Sequence, residues 1–394
     1  MFERTLVSAL SALALCVSAA ASAQQSASSQ AAAPSAAPRP ATAVPVDTAT
    51  DLTNGWALLA EGKPAQAAEK AAQVLKGDPR SISGLTLAIE ADLARSGVEA
   101  ALGQYEQWLG SRTMEEPGVV RRIAQASLHM EAAQRQDTAI RLQALRDLAA
   151  AGDATAEAAL SASLAGGSGS EARILAARGN QKAIAVLIAD LKKQATNTVL
   201  AIDALGQSGS RQAIPVLVEQ LSDPKAEVRG SALSALGRLG DKDVIQQIKP
   251  FLADERAFVR TSAAGALYRL GDDSGLQILQ ELISQPVPSM RLAAADAMSS
   301  RPDGAWMALV RDLTNAPEAE VRASAARLIA PHDPALATSV LESLLTNENP
   351  AIRDLAALLI TDVPLDLTTL RRLMRDTNRL TRVRAAGRVL VLTR

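Results

Sequence analysis

The sequence has few aromatic, cysteine and histidine residues. Its 394 residues include three Trp, three Phe, two Tyr, one Cys and two His. Single-stranded nucleic acids bind by stacking bases on aromatic rings, so the scarcity of rings argues against a nucleic-acid surface. The formal charge of −1 argues against it as well, since proteins that bind polyanions carry an excess of basic residues. One cysteine allows neither an internal disulfide nor a cysteine-rich metal site.

The two histidines do not lie in a motif for catalysis or metal binding. His129 lies in the helical stretch ASLHMEAA, and His332 lies in the turn APHDPA beside Asp333. The sequence also has no phosphate-binding loop, no dinucleotide-binding glycine pattern and no serine in a nucleophile elbow. We therefore predict no catalytic residue, no metal site and no cofactor.

The N-terminus has the pattern of an export signal. Arg4 precedes the apolar stretch LVSALSALALCVSAAASA, which ends in Ala21, Ser22 and Ala23, the small residues typical of a signal-peptidase site. Cys16 would also suit a lipoprotein signal, but Leu15 stands where that pattern has a small residue. We predict a signal peptide over residues 1–23 and a periplasmic or secreted mature protein without cysteine and without a membrane-spanning segment.

The stretch after the signal is rich in Ala, Ser, Gln and Pro. Residues 24–50 contain no large apolar side chain before Val44. Such a segment cannot bury enough apolar surface to offset the entropy of ordering, so we predict a disordered linker.

The second half of the chain repeats itself. DPKAEVRGSALSALGRLGD begins at Asp223, and the similar stretch DERAFVRTSAAGALYRLGD begins at Asp254. The same 31-residue step connects arginines through the rest of the chain: Arg229, Arg260, Arg291, Arg322, Arg353 and Arg384. A fixed period of this length is typical of stacked supersecondary units.

Each unit contains two helical patterns. Ile214, Leu217 and Leu221 form an apolar stripe at helical spacing, and a second helix carries Ala232 and Ala235. Glycines that fit helix ends recur at the same 31-residue step, at positions 209, 240 and 271. These residues resemble HEAT repeats, of the short form found in the phycobilisome-lyase group. The resemblance covers residues 171–394 and implies an all-α fold, a right-handed α-solenoid of stacked antiparallel helix pairs.

The preceding segment, residues 51–165, has a helical pattern but not the 31-residue repeat. Gly55, Gly62, Ala67 and Pro79 stand at positions that resemble one tetratricopeptide repeat, although the period is not maintained. We predict tetratricopeptide-like helical hairpins there, followed by a flexible joint at AGGSGSE, residues 165–171.

The arginines at the 31-residue step have two interpretations. As a structural ladder, Arg229 and Arg260 would bond acidic or carbonyl groups of the adjacent turn, with Asp223 and Asp254 six residues before them. As an anion-binding stripe, the later arginines are the candidates, because residues other than aspartate replace the acid in the later units. The binding candidates are therefore Arg291, Arg322, Arg353 and Arg384.

The C-terminal stretch is strongly basic. Residues 371–394 contain eight arginines and one acid, Asp376. A polar end cap is expected of a terminal repeat, and Arg384 is then near an exposed end of the array. A binding surface for an acidic partner is the other interpretation, and its candidates are Arg371, Arg372 and Arg375.

Two functions follow from this sequence. The first is an exported, non-catalytic scaffold that binds protein partners on its repeat surface. The second comes from the resemblance: an enzyme like the bilin lyases, or a chromophore chaperone, acting on a partner protein. The sparse aromatic residues argue against the second function, because a tetrapyrrole needs ring contacts.

Overall fold

The computed structural model describes residues 48–110, 112–134, 137–164, 169–193, 198–300 and 305–394. These residues form α-helices, five short 3-10 helices and connecting turns, and they contain no strand. The predicted all-α fold is confirmed. No helix in these ranges is both long enough and apolar enough to cross a membrane.

Several predicted segments lie at or beyond the limits of these ranges. The predicted signal peptide, residues 1–23, and most of the predicted linker, residues 24–50, lie outside the described residues. The first described helix begins at Thr48, inside the end of that linker. In the joint predicted at 165–171, residues 165–168 lie outside the described residues, and a helix begins at Gly169.

The chain divides into two units between Ala126 and Ser127. This boundary lies inside a helix and precedes the joint predicted at 165–171. The helices of the first unit, the last of which continues into the second unit, are α1 (Thr48–Ala60), α2 (Pro64–Gly77), α3 (Ile82–Arg95), α4 (Val98–Leu109) and α5 (Pro117–Ala133).

In the first unit, each helix from α1 to α3 packs against the next, and α1 also contacts α3. Short side chains form much of the core between them: Leu59, Ala67, Ala71, Leu87, Ala88 and Ala91 are buried. Gly84 lets α3 approach α2 closely, because a Cβ at this position would lie 2.8 Å from Val74 Cγ1. The tetratricopeptide identity of these hairpins stays a prediction.

The second unit is a series of helix pairs. Its helices are α6 (Thr138–Ala150), α7 (Ala154–Leu164), α8 (Gly169–Ala176), α9 (Gln181–Lys192), α10 (Thr198–Gln207), α11 (Ile214–Glu219), α12 (Ala226–Leu239), α13 (Ile245–Ile248), α14 (Ala257–Leu270), α15 (Leu276–Ile283), α16 (Pro288–Met298), α17 (Ala305–Leu313), α18 (Ala319–Ile329), α19 (Pro334–Leu345), α20 (Pro350–Leu359), α21 (Leu367–Leu373) and α22 (Arg379–Leu392). The even-numbered helices from α8 to α22 are the second helices of their pairs, and we call them the second-helix layer.

Glycine and turn residues set the ends of these helices. Gly209, Gly240 and Gly271 have φ angles of +66°, +74° and +90°, as their spacing predicts. Glycine adopts this left-handed conformation without the steric cost that a Cβ would bring.

Successive second helices from α8 to α22 pack directly on one another. Three glycines permit this close approach. A Cβ at Gly206 would lie 2.7 Å from Ala235 Cβ, one at Gly237 would lie 2.7 Å from Ala266 Cα, and one at Gly265 would lie 3.1 Å from Ala297 Cβ. Alanine and glycine at these positions make the second-helix layer a tightly packed continuous surface.

The second unit also closes on itself. The last helix, α22, packs along α6, the first helix that lies wholly within the unit. Gly387 of α22 lies against Asp147 of α6, and a Cβ at Gly387 would lie 2.7 Å from Asp147 Cγ. We call the contacts that α22 makes with α6 and with the end of α5 the closing junction.

Candidate functional site

Five arginines close the turn between the two helices of a pair in the same way. In each, one terminal nitrogen of the guanidinium group donates to the backbone carbonyl oxygens six and five residues earlier, at 2.8–3.1 Å. The five are Arg229, Arg260, Arg322, Arg353 and Arg382. Carbonyls of this turn thereby gain charge-assisted hydrogen bonds.

Arg229 additionally connects two successive pairs. Its Nε and second terminal nitrogen donate to the two carboxylate oxygens of Asp254, each at 3.0 Å. These bonds hold the pKa of Asp254 below its usual value of 3.8. The Asp223 carboxylate instead accepts from the Lys225 backbone amide at 2.8 Å, and Asp223 reaches Arg229 through its backbone oxygen.

The 31-residue step does not identify the last member of this series. The step from Arg353 predicts Arg384, but Arg382 caps the final turn. The distance along the sequence from Arg353 to Arg382 is two residues less than the 31-residue step. Arg384 therefore falls on the 31-residue step without capping a turn.

Two of the binding candidates, Arg291 and Arg322, make additional contacts. Arg291 donates to the Asp312 carboxylate at 2.8 Å, and this acceptor side chain is 66% exposed. Arg322 lines a shallow pocket with Leu336, Ser339 and Ser343, while its terminal nitrogen caps the turn at Ala316.

The basic C-terminal stretch is shared between two places. Arg371 and Arg372 lie on α21, and Arg375 follows it; Arg372 lies 3.4 Å from the Glu342 carboxylate. Other arginines of the stretch face the closing junction instead. Arg379 Nε donates to buried Glu131 at 2.7 Å and its guanidinium also contacts Gln134, while Arg394 donates to the Ala150 carbonyl.

Arg384 also belongs to the closing junction and not to an exposed end. Asp147 is the acid beside it; this carboxylate accepts from Gln143 Nε2 at 2.6 Å and from Arg146 Nε at 3.3 Å. Burial raises the pKa of Asp147 despite the opposing effect of Arg146 and Arg384. Burial, followed by repulsion from Arg146, lowers the pKa of Arg384 to about 10.

Exposed apolar side chains concentrate on the second-helix layer. After residue 171, the large apolar side chains that are exposed among the described residues lie on second helices or at the N-cap of one: Val199, Leu200, Phe258, Val287, Leu358, Val391 and Leu392. Phe258 is 55% exposed and lies over Gly230 of the preceding pair. Sequence reasoning missed this distribution, because the exposed positions differ from one pair to the next.

The two histidines lie far apart in sequence and have different neighbours. His129 Nε2 lies 3.0 Å from an Asp153 carboxylate oxygen, and the His332 ring packs edge-on against Trp306 with 5.1 Å between ring centroids. Within the ranges that the structure describes, no group of three or more His, Cys, Asp or Glu side chains could hold a metal ion.

Comparison with known proteins bears on the repeats. The family model of HEAT repeats matches residues 196–267 and 214–299. No curated protein matches the chain. Among solved structures, the CpcE–CpcF complex of phycocyanin lyase from a Nostoc species is similar at 19% identity and a TM-score of 0.36, over 71% of this chain and 96% of that one. Human deoxyhypusine hydroxylase is similar at 20% identity and a TM-score of 0.32, over 72% of this chain and 98% of that one.

The matched residues include the two turns that Arg229 and Arg260 cap. They span α10 to α16, where the glycine contacts between second helices also occur. Sequence pattern, helix pairing and family model thus agree that residues 196–299 of this chain are HEAT repeats.

Proposed function

We propose that this protein is an exported, non-catalytic scaffold that binds a partner protein through the second-helix layer. The observation that carries the proposal is the location of Leu200, Phe258 and Leu358, which are exposed on α10, α14 and α20. Exposed apolar side chains distributed over one layer of helices supply contact area that a protein partner covers on binding.

Ion pairs lie on the same layer. Arg238 of α12 donates to Asp203 of α10 at 2.6 Å, and Arg269 of α14 donates to Asp296 of α16 at 2.6 Å. Each pair connects neighbouring second helices and neutralises its own charge. A surface of apolar residues separated by paired charges suits a protein more than a polyanion.

The test compares one substitution on the second-helix layer with one on a first helix. Phe258→Asp places a charge in the proposed contact surface, whereas Gln280→Asp places the same charge on the exposed side of α15, a first helix. Mature protein with a photo-crosslinker at Leu200 is incubated with native envelope extract, and the crosslinked partner is identified. We expect Phe258→Asp to abolish the crosslink and Gln280→Asp to retain it. Equal crosslinking by both folded variants would contradict the proposal.

The chemistry of the partner is tested separately. An acidic partner would dock near Arg371, Arg372 and Arg375, and its affinity would fall with rising salt because exposed charges are screened. Charge reversal at all three positions should then weaken capture at low salt more than at high salt. A folded triple variant with unchanged affinity at both salt concentrations would leave the basic stretch without a binding role.

The alternative, an activity like that of the bilin lyases, gives a different result. A protein that binds or attaches a bilin acquires a visible absorption band when the two are mixed. The scaffold proposal expects no such band from the mature protein, alone or with its captured partner.

Export is tested by cell fractionation. The full chain should appear outside the cytoplasm with a shortened N-terminus near Gln24, and a chain that lacks residues 1–23 should stay inside. An uncleaved full chain in the cytoplasm would remove the exported part of the proposal.

A further inference from the structure

The closing junction repeats the geometry of the junctions inside the array, with one chemical difference. Inside the array, Gly206, Gly237 and Gly265 each lie against an alanine of the next second helix. At the closing junction, Gly387 lies against Asp147. Helix α6 thus occupies the place of a next second helix, and a carboxylate stands where the other junctions have a methyl group.

Arg388 is a second departure at the same place. Position 388 lies six residues after Arg382, and the positions six residues after the earlier arginines, Arg291 included, are 359, 328, 297, 266 and 235. Those positions hold only alanine or leucine, and Ala235, Ala266, Ala297 and Leu359 are buried. A cation at a position that is otherwise apolar needs a partner, because an unpaired charge in a buried place is costly.

That partner is missing among the described side chains. The Nε atoms of Arg384 and Arg388 are buried and have no hydrogen-bond acceptor. Arg384 lies near Arg146 of α6 and near the carboxyl groups of Asp147 and Asp362, and Arg388 follows Arg384 by four residues on α22. Asp147 already accepts bonds from Gln143 and Arg146.

The cluster remains accessible to a small solute. Arg384 and Arg388 are half-buried, and the Arg146 side chain is 33% exposed. Buried Nε hydrogens that lie beside partly exposed guanidinium groups suit a ligand that enters from solvent and ends inside the junction. Guanidinium groups from two helices can donate to several oxygens of a tetrahedral anion at once.

We propose that Arg146, Arg384 and Arg388 form a binding site for a small oxyanion of the phosphate class, which joins α22 to α6. The bound anion supplies acceptors to the two buried Nε groups and offsets the excess of positive charge. The site uses none of Leu200, Phe258 and Leu358, the exposed residues on which the proposed partner surface rests.

The test measures thermal unfolding of the mature protein with inorganic phosphate at constant ionic strength, using chloride as the reference anion. Ligands that bind only the folded state stabilise it in a saturable manner. We expect the melting temperature to rise by about 2–4 °C as phosphate saturates the site. Isothermal titration calorimetry should give one site per chain.

Two leucine variants locate the effect. Arg388→Leu restores the residue found at position 359, and replacing a buried charge by a well-packed apolar residue is often neutral or stabilising, so this variant is expected to fold. It should lose the phosphate-dependent rise, and Arg384→Leu should lose it too. Arg238→Leu, which removes an arginine paired on the second-helix layer, should keep the full rise.

Two results would overturn the proposal. One is a phosphate effect that is absent, or that grows without saturation as a general salt effect does. The other is a saturable effect that persists in folded Arg388→Leu, since the anion would then bind elsewhere.

Discussion

The arginine near the start of several second helices donates hydrogen bonds to backbone carbonyl oxygens. In Arg260, one terminal nitrogen serves two carbonyl oxygens, at Asp254 and Glu255, and Arg382 does the same at Asp376 and Thr377. A single long side chain therefore holds the turn that orients both helices of a pair. Guanidinium groups used in this way are part of the fold, whichever ligand the protein binds.

Substitution of these arginines should separate the capping role from a surface role. Arg260→Ala and Arg382→Ala should each lower the free energy of unfolding by about 1–3 kcal/mol, because charge-assisted bonds to partly buried carbonyls are lost. Arg291→Ala should cost less, about 0–1 kcal/mol, since it removes a pair with an exposed carboxylate. Urea unfolding of the three variants measures this order. Equal losses in all three would contradict the capping role.

Asp272 should make the stability of the fold depend on pH. Hydrogen bonds from Ser274 and Lys249 lower its pKa from 3.8 to about 2. The folded state therefore holds this proton less tightly than the unfolded state, so the carboxylate stabilises the fold above about pH 4 and loses this effect as the pH falls towards 2.

The variant Asp272→Ala should be less stable than the parent by about 1 kcal/mol at pH 7, and the difference should shrink below about pH 4. Urea midpoints between pH 2 and pH 7 measure it. Asp243→Ala, which removes an exposed carboxylate, is the control and should show a smaller, flatter difference. A difference for Asp272→Ala that stays constant down to pH 2 would contradict the assignment.

At the scale of the helix, close contact between second helices depends on glycine, which has no Cβ. Gly237→Ala places a methyl group 2.7 Å from the Ala266 Cα, so the helices must separate, and we expect a loss of about 1–3 kcal/mol. Gly265→Ala, with 3.1 Å to Ala297 Cβ, should cost less.

Gly118→Ala is the opposite case. No heavy atom lies within 4 Å of a Cβ at this helical position, so the substitution should stabilise by about 0.5 kcal/mol through the lower entropy of the unfolded chain. Scanning calorimetry of the three alanine variants measures both signs. Stabilisation by Gly237→Ala would show that the helices are not in close contact there.

Helices and their pairing were predictable because they depend on local, periodic features. The apolar spacing of Ile214, Leu217 and Leu221 and the glycines at 209, 240 and 271 recur in every early unit. The last capping arginine was not predictable in this way. A two-residue shortening shifts it to Arg382, while Arg384 still satisfies the 31-residue step.

At the scale of the second unit, the closing junction was beyond sequence reasoning. The contact of Arg379 with Gln134 joins residues 245 positions apart, and no periodic pattern relates them. One local signal was available: arginine at position 388, where the preceding units have alanine or leucine. Its role depends on the packing of α22 against α6, which the repeat pattern does not predict.

The junction itself can be tested by exchanging charges. Glu131 is 3% exposed and accepts from Arg379 Nε at 2.7 Å. Arg379→Glu places two carboxylates together and should cost about 3 kcal/mol or more. The double variant Glu131→Arg with Arg379→Glu should recover at least half of this loss.

Chemical unfolding measures the recovery, and small-angle X-ray scattering shows whether the single variant expands. Arg238→Glu, which breaks a pair within the second-helix layer, is the matched control and should not expand the molecule. A double variant as unstable as the sum of its single variants would mean that the two residues do not interact.

Closure of the second unit has a consequence for how its repeats come apart. Open repeat arrays fray from their terminal repeats, so amide hydrogens there exchange with solvent sooner than those in the middle. Helix α22 has α6 on one side and α20 on the other, so it lies between two helices like an interior repeat. The amide hydrogens of α22 should then exchange as slowly as those of α12. Unfolding of any one helix pair should open the whole second unit in a single cooperative step.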